Sequence, residues 1–181
     1  LHLATLGADT MPESVDELVA ASQTHVYSLF RILQLLEADL KAAVETGEAR
    51  VVMGSTLGGA FGRQGKPSAI PTAASGLGIL KTVVIEWPGV RAKGVDFDDT
   101  LSPPAIAKQL VNELLADDDR QEVGYPDGTR TAFRPVDATI DLTNGAEPLK
   151  LESDWVALIT GGARGVTAEL AYDMARAGMT I

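Results

Sequence analysis

Three glycines near the end of the chain, Gly161, Gly162 and Gly165, have the spacing of a turn that can approach a phosphate group. The apolar run WVALIT precedes them and predicts a buried strand over residues 156–160, and a helical pattern follows. Glycines let the backbone come close to a pyrophosphate, which the N-terminus of the next helix then stabilises. A turn without a ligand is the alternative, and the order of strand, turn and helix favours nucleotide binding.

Other polar clusters fit phosphate, metal or catalytic chemistry poorly. The stretch GGAFGRQGKPS is not a P-loop, because Pro67 follows Lys66 and Ala60 stands where a glycine is needed, so we expect a flexible connection over the carboxyl edge of a sheet. The acidic stretches DFDD and ADDDR lack the spacing of a calcium loop, and we expect them to be solvated or to cap helices. His2 and His25 are interpreted as packed or capping side chains. The sequence therefore predicts no metal site.

Alternating strands and helices must position these residues. Apolar runs predict strands in LHLATL, RVVMGST and VRAKGVDFD, and QEVGYPDGTRTAFRP predicts two short strands around a Pro-Asp-Gly turn. Helices are predicted over residues 24–43, 68–86 and 103–116. This alternation predicts an α/β class with a parallel sheet and right-handed crossovers.

The first predicted helix carries a clear apolar stripe. Thr24 is its predicted N-cap and Gly47 its predicted stop. The residues expected to pack this helix against the sheet are Leu29, Leu33, Leu36 and Leu40.

Composition narrows the possible partners. The chain has 181 residues, with 25 acidic and 15 basic side chains and a formal net charge of −10, which disfavours nucleic acid and anionic membrane surfaces as partners. It has no cysteine, so a reducing cytoplasm is the expected compartment. No apolar run has the length of a bilayer span, and no signal peptide is visible. The chain does not begin with Met, and we expect it to be an excerpt of a longer protein.

The terminal turn resembles the T-G-x-x-x-G-x-G pattern of short-chain dehydrogenases/reductases, with Thr160 and Gly161 opening it and Thr167 in place of the last glycine. The string VALITGGARGVTAELA is similar to the start of the catalytic half of ketoreductase domains in polyketide synthases and polyunsaturated-fatty-acid-synthase-like enzymes. Arg164 stands where NADPH-preferring members carry a basic residue that could pair with the 2′-phosphate. The cofactor-binding residues that the resemblance implies are Thr160, Gly161, Gly162, Ala163, Arg164, Gly165 and Val166.

The resemblance extends over nearly the whole chain. HLATL, GGAFG, GLGILKTVVIEWPGVRAKGVDFD and LLADDDRQEVGYPDGTRTAFRP are similar to the degenerate, Rossmann-like structural half of such ketoreductases. The resemblance implies that residues 1–150 form a structural subdomain together with its connector. Residues 151–181 would then be the first strand–helix unit of the NADPH-binding catalytic half, whose catalytic residues would lie further along the parent chain.

Residues 1–150 lack the proton donor that the resemblance would require. Ser55 stands in the position of the catalytic serine, but Ala69 or Ile70 occupies the tyrosine position and Ala73 or Ala74 the lysine position. Ser55 is therefore interpreted as a relic or a strand-end cap, and no catalytic residue is predicted in this chain.

Two functions remain open at this stage. The resemblance implies a part of an NADPH-dependent β-ketoacyl reductase region in a multidomain synthase, with an acyl carrier protein and neighbouring synthase domains as partners. The alternative is a non-catalytic Rossmann-like module that organises neighbouring domains.

Overall fold

The computed structural model describes residues 1–8, 11–63, 71–139 and 150–181, and for Pro71 only its backbone. The chain divides into two compact units, Leu1–Pro135 and Val136–Ile181. The roles assigned from sequence to residues 1–150 and 151–181 stay predictions.

The first unit is built on a five-stranded sheet whose order follows the chain, β1-β2-β3-β4-β5. The first four strands are parallel and β5 pairs antiparallel with β4. The strands are β1 His2–Thr5, β2 Ala49–Ser55, β3 Val90–Phe97, β4 Glu122–Tyr125 and β5 Thr131–Ala132. The predicted α/β class with a mostly parallel, Rossmann-like sheet is confirmed.

Four α-helices and one π-helical segment connect these strands. Pro103 and Pro104 open α4, since their missing amide hydrogens are not needed in a first turn. The α-helices are α1 Val15–Ser22, α2 Ser28–Thr46, α3 Pro71–Glu86 and α4 Pro103–Leu115, and the π-segment is Gln23–Tyr27. Residues 68–70 of the predicted second helix lie outside the described residues.

The first long helix begins earlier than predicted. Ser14 is the N-cap of α1 and accepts a hydrogen bond from the Glu17 amide, and the helical path runs on through the π-segment into α2. Thr24 therefore lies inside the helical run, and its prediction as an N-cap is wrong. Leu29 and Leu33 are buried as predicted, whereas Leu36 is 43% exposed and its prediction as a packed residue is wrong.

Leu40 packs partly buried at the edge of the same core. Leu36 stands three residues after Leu33 and four before Leu40, on the same face of α2, so its exposure does not follow from the helical period.

Both faces of the sheet are covered, which explains why its strands are apolar at consecutive positions. On β2, Met53 faces the core formed with α2 and α3, and Val52 faces the core formed with α4. In the sheet, β2, β3 and β4 lie side by side in chain order. Helix α3 connects β2 to β3 on one face of the sheet, and α4 connects β3 to β4 on the other face. Two parallel crossovers that advance in the same direction on opposite faces have opposite hands. The prediction that all crossovers are right-handed is therefore wrong for one of them.

The second unit contains a short strand contact and one helix. Val156 pairs with Thr180 as a parallel bridge, supported by a 2.9 Å hydrogen bond from the Ala157 amide to the Thr180 carbonyl. Helix α5, Gly165–Arg176, connects the two. The strand predicted over residues 156–160 is thus represented by a single bridge, because the described part of this unit supplies one short neighbour for the ladder.

Candidate functional site

The turn between the Val156 bridge and α5 has the backbone that its glycines predict. Gly161 and Gly165 adopt φ values of +73° and +66°, where a residue with a Cβ would be strained. A Cβ on Gly162 would lie 3.2 Å from Cγ2 of Ile159, so the turn is close at this point. The chain thereby reverses within four residues and places the amides of the first turn of α5 at an open surface.

Arg164 is the N-cap residue of α5 and is exposed. Its backbone is extended, with φ −161° and ψ 164°, and its side chain makes no capping hydrogen bond. The guanidinium can therefore turn toward an anion that approaches the helix N-terminus, where the helix dipole also favours negative charge.

The structure brings all seven predicted cofactor-binding residues together in this one turn. Gly162 is half-buried, and the other six are exposed. Such residues can offer backbone amides and one guanidinium to a phosphate group without a rearrangement of the core. Nucleotide binding by Thr160, Gly161, Gly162, Ala163, Arg164, Gly165 and Val166 stays a prediction.

A different arrangement occupies the carboxyl edge of the first unit's sheet. Asp96, near the end of β3, is fully buried and accepts a 2.6 Å hydrogen bond from the Ser55 hydroxyl. It also accepts hydrogen bonds from the backbone amides of Leu57, at 2.7 Å, and Phe61, at 2.8 Å. Burial raises the pKa of Asp96, and these hydrogen bonds, with one from the Gly59 amide, oppose the increase. The carboxyl group thus holds the loop that follows β2.

The same loop packs directly on β4. A Cβ on Gly59 would lie 2.4 Å from the Pro126 nitrogen, and a Cβ on Gly124 would lie 2.0 Å from the Gly59 carbonyl oxygen. Only glycines allow this approach of two backbones. The described part of the loop is therefore anchored rather than flexible as predicted, and residues 64–70 lie outside the described residues.

The loop after β2 covers the edge of the sheet where a ligand would otherwise bind. In open α/β sheets, ligands bind beyond the carboxyl ends of the strands where the strand order reverses. Here the order does not reverse within the described sheet, and the chain's own loop covers β3 and β4. Ser55 is fully buried and donates its hydroxyl hydrogen bond to Asp96, which agrees with its interpretation as a structural residue at the strand end.

The positions aligned with a tyrosine and a lysine give no proton donor. Ala69 and Ile70 lie outside the described residues, so their sequence alone bears on the question. Ala73 is fully buried and Ala74 half-buried on α3. The methyl side chains at these two positions cannot transfer a proton or lower the pKa of a neighbour.

Sequence reasoning missed a buried ionic cluster between β3, α4 and the strand β4. Lys93 Nζ lies 2.9 Å from Glu113 Oε2 and 2.8 Å from Asp118 Oδ1. Arg130 contacts both oxygens of Glu113, with its Nε 2.6 Å from Oε1, and the Tyr125 hydroxyl donates a 2.6 Å hydrogen bond to that same oxygen. The cluster ties the end of α4 to the sheet.

The charges in this cluster stabilise one another. Burial by itself would raise the pKa of Glu113, but hydrogen bonds from Arg130, Tyr125 and Lys93 lower that pKa to about 2. Burial and the neighbouring carboxylate of Glu113 raise the pKa of Tyr125. Since every member has a partner, the cluster acts as a structural tie. Its signal in the sequence was a lysine inside an apolar strand and a glutamate inside an apolar helix face.

The acidic stretches and the histidines also have structural partners. Asp117 pairs with Arg91 at 2.5 Å and Asp118 joins the ionic cluster, so the ADDDR stretch is not simply solvated as expected. His25 lies 3.0 Å from the Thr72 hydroxyl, and burial lowers the pKa of its imidazole. His2 is buried as well and lies 2.8 Å from the Ser28 hydroxyl, so both histidines are packed as predicted.

The described part of the chain contains no candidate metal-binding cluster and no candidate membrane-spanning helix. Within those ranges, no group of three or more His, Cys, Asp or Glu residues is arranged to hold a metal ion. None of the helices described is both long enough and apolar enough to cross a bilayer.

One curated relative matches most of the chain. A polyunsaturated fatty acid synthase subunit of Thraustochytrium sp. is 30% identical over 144 residues. The match covers 75% of this chain and 5% of that protein, so the chain spans a small part of its relative's length. No protein-family profile matches the chain.

Two solved structures share the fold. A multidomain structure with adenylation, ketoreductase and pseudo Asub domains, from a keto acid-selecting NRPS module, has a TM-score of 0.61 at 19% identity, covering 95% of this chain and 14% of that one. The full-length peroxisomal multifunctional enzyme type 2 of Drosophila melanogaster has a TM-score of 0.56 at 16% identity, covering 97% of this chain and 37% of that one. These similarities show that the chain shares an α/β fold with parts of both structures.

Proposed function

We propose that this chain is part of an NADPH-dependent β-ketoacyl reductase region in a multidomain polyketide or fatty-acid synthase. In the intact parent this region would reduce a β-keto group, carried by an acyl carrier protein, to a β-hydroxyl. The observation that carries the proposal is the 30% identity to a fatty acid synthase subunit over three quarters of the chain. The open, glycine-rich turn before α5 supports it.

In this proposal the two parts have different tasks. Residues 1–150 form the structural subdomain and its connector, and residues 151–181 begin the cofactor-binding subdomain. The filled carboxyl edge above β3 and β4 supports the structural role, since the loop held by Asp96 takes the space that a ligand would need. Neighbouring domains of the synthase would be the partners of both parts.

The residues of the terminal turn fit a dinucleotide phosphate. Amides at the N-terminus of α5 would bind the pyrophosphate, and Gly161 and Gly165, which have positive φ values and no side chain, leave the turn open there. Arg164 would pair with the 2′-phosphate. When bound, NADPH would supply the hydride, and the residues of this chain would hold and orient the cofactor.

The test is a pair of cofactor titrations on the intact parent. A partly exposed charge-assisted contact contributes about 1.5–3 kcal/mol, so Arg164→Ala should weaken NADPH binding roughly tenfold to a hundredfold. NADH has no 2′-phosphate and should bind almost unchanged. The matched control is Arg176→Ala at the other end of α5, where the guanidinium lies 5.6 Å from the Tyr172 ring centre. This control should change neither affinity by more than about twofold.

Equal losses for NADPH and NADH on Arg164→Ala would mean that Arg164 only shapes the turn, and the NADPH preference would be withdrawn. A parent that binds neither cofactor would contradict the reductase proposal itself.

A non-catalytic scaffold is the second candidate, favoured by the absence of a proton donor beside Ser55. Both candidates predict that this chain alone does not oxidise NADPH with a model β-ketoacyl thioester. They differ in the intact parent, where only the reductase proposal predicts turnover. A cytoplasmic location, with neither nucleic acid nor membrane as a partner, belongs to both proposals and rests on composition.

A further inference from the structure

A wide groove in the first unit collects positive charge on an otherwise acidic chain. It has a volume of about 630 Å³ and lies between the end of the loop after β2, helix α3, the residues before β4 and the residues after β5. Its four cations come from these four segments, and they are Arg63, Lys81, Arg120 and Arg134. The acidic residues in its lining are Asp119 and Glu122.

Two of the cations share one carboxylate and two have none. Arg63 lies 2.9 Å from Glu122, and Lys81 pairs with the other oxygen of that carboxylate. Arg120 and Arg134 are exposed and form no ion pair with any residue in the described ranges. The groove therefore has an excess of two positive charges, while the whole chain has a net charge of −10.

One aromatic side chain, Phe133, lines the groove, and together with Phe61 outside the lining it holds one cation in place. The Arg63 guanidinium lies 4.4 Å from the centre of the Phe133 ring and 5.8 Å from that of Phe61. The two rings pack edge to face, with their centres 6.1 Å apart. A cation already held by two rings and a carboxylate loses little side-chain freedom when an anionic partner binds.

We propose that this groove docks an acidic segment of another domain of the same synthase. The proposal rests on the proposed function only for its statement that such neighbouring domains exist. An extended acidic segment fits because the two unpaired cations, Arg120 and Arg134, come from separate segments of the open groove, before β4 and after β5. A phosphate site would instead require convergent buried donors. The Phe133 ring adds apolar contact to a segment that carries carboxylates, and the local excess of positive charge steers its approach.

The experiment measures the binding of a labelled acidic peptide to the full 181-residue chain by fluorescence anisotropy. The probe is an amphipathic peptide made only of glutamate and leucine, with inorganic pyrophosphate as the small-anion comparison. Arg120→Glu combined with Arg134→Glu should raise the Kd for the peptide at least about tenfold. The matched control, Arg31→Glu with Lys108→Glu, makes the same change in net charge at exposed positions outside the groove, and should raise the Kd less than about threefold.

Three results would overturn the proposal. Equal weakening by both pairs would show a general effect of net charge, and an unaltered Kd in the groove variant would place the peptide elsewhere. If pyrophosphate binds and its binding requires Arg120 and Arg134, while the peptide does not bind, the groove is a small-anion site. Circular dichroism melts check that the variants fold, and the cofactor titrations on Arg164 variants report on the proposed function separately.

Discussion

Asp96 organises the loop above the sheet through contacts that are local in space and distant in sequence. Its carboxyl group accepts hydrogen bonds from Ser55, Leu57 and Phe61, which precede it by 41, 39 and 35 residues. Without that acceptor, a hydroxyl and several amides would remain buried with no partner. Each such donor costs about 1–3 kcal/mol.

Asp96→Ala should therefore lower the free energy of unfolding by about 3–5 kcal/mol, the range expected when a buried polar network is broken. Urea denaturation monitored by circular dichroism measures this change. Asp99→Ala serves as the control, since Asp99 is exposed in the same acidic stretch and should change the free energy by less than about 0.5 kcal/mol. Similar values for the two variants would show that Asp96 does not hold the loop.

The single residues that the sequence identified are those whose chemistry is local. Gly161 and Gly165 sit in a turn whose backbone follows from glycine itself, and Arg164 directly precedes α5, so the place of all three in the turn could be predicted, while their binding of a cofactor stays a prediction. Asp96 and Glu113 could not, because their roles depend on partners brought together only by the sheet.

Helix α2 shows how an element can be predicted correctly while its contacts are not. The apolar periodicity identified the helix and its buried residues Leu29 and Leu33. It did not show that Leu36, on the same stripe, would remain in solvent. It also missed α1, whose start is encoded in Ser14 and Glu17.

Leu33→Ala and Leu36→Ala form a matched pair on this helix. Leu33 is 4% exposed, so its truncation should cost about 2–5 kcal/mol by leaving a cavity in the core. Leu36→Ala removes a side chain that is 43% exposed and should cost less than about 1 kcal/mol. Thermal melts of the two variants would contradict the packing if Leu36→Ala were as destabilising as Leu33→Ala.

The ionic cluster that ties α4 to the sheet predicts a pH dependence of stability. The pKa of Glu113 is about 2 in the fold, below its ordinary value of 4.5, so the unfolded state takes up a proton first as the pH falls. The stabilisation is therefore complete above about pH 4.5 and is lost as the pH falls toward 2.

Glu113→Gln should remove this part of the acid sensitivity and should cost about 3–5 kcal/mol at pH 7, because Lys93 is left buried beside fewer charges. Urea denaturation between about pH 2 and pH 7 gives both quantities. Glu37→Gln alters an exposed pair with Lys41 and should keep the slope of the wild-type protein. A wild-type slope in Glu113→Gln would show that the cluster does not contribute to acid sensitivity.

At the scale of the whole chain, the proposed function assigns support to the first unit and cofactor binding to the second. The first unit's sheet runs β1 to β5 without a reversal, and its carboxyl edge is covered by its own loop. The second unit offers the open turn before α5. The alternation of strands and helices in the sequence predicted this α/β architecture. It did not predict that the α4 crossover has the opposite hand to the α3 crossover, because the hand of a crossover depends on which face of the sheet is free for its helix.

The most direct measurement of this separation compares Ser55→Ala with Gly161→Val in the intact parent. Gly161 has a φ of +73°, which a β-branched residue avoids, so Gly161→Val should weaken NADPH binding at least about tenfold. Ser55 bonds to Asp96, so Ser55→Ala should leave kcat with a β-ketoacyl thioester within about twofold of the parent value. A loss of kcat of about a hundredfold or more in a folded Ser55→Ala parent, the size expected for a residue that takes part in proton transfer, would contradict the structural role of the first unit.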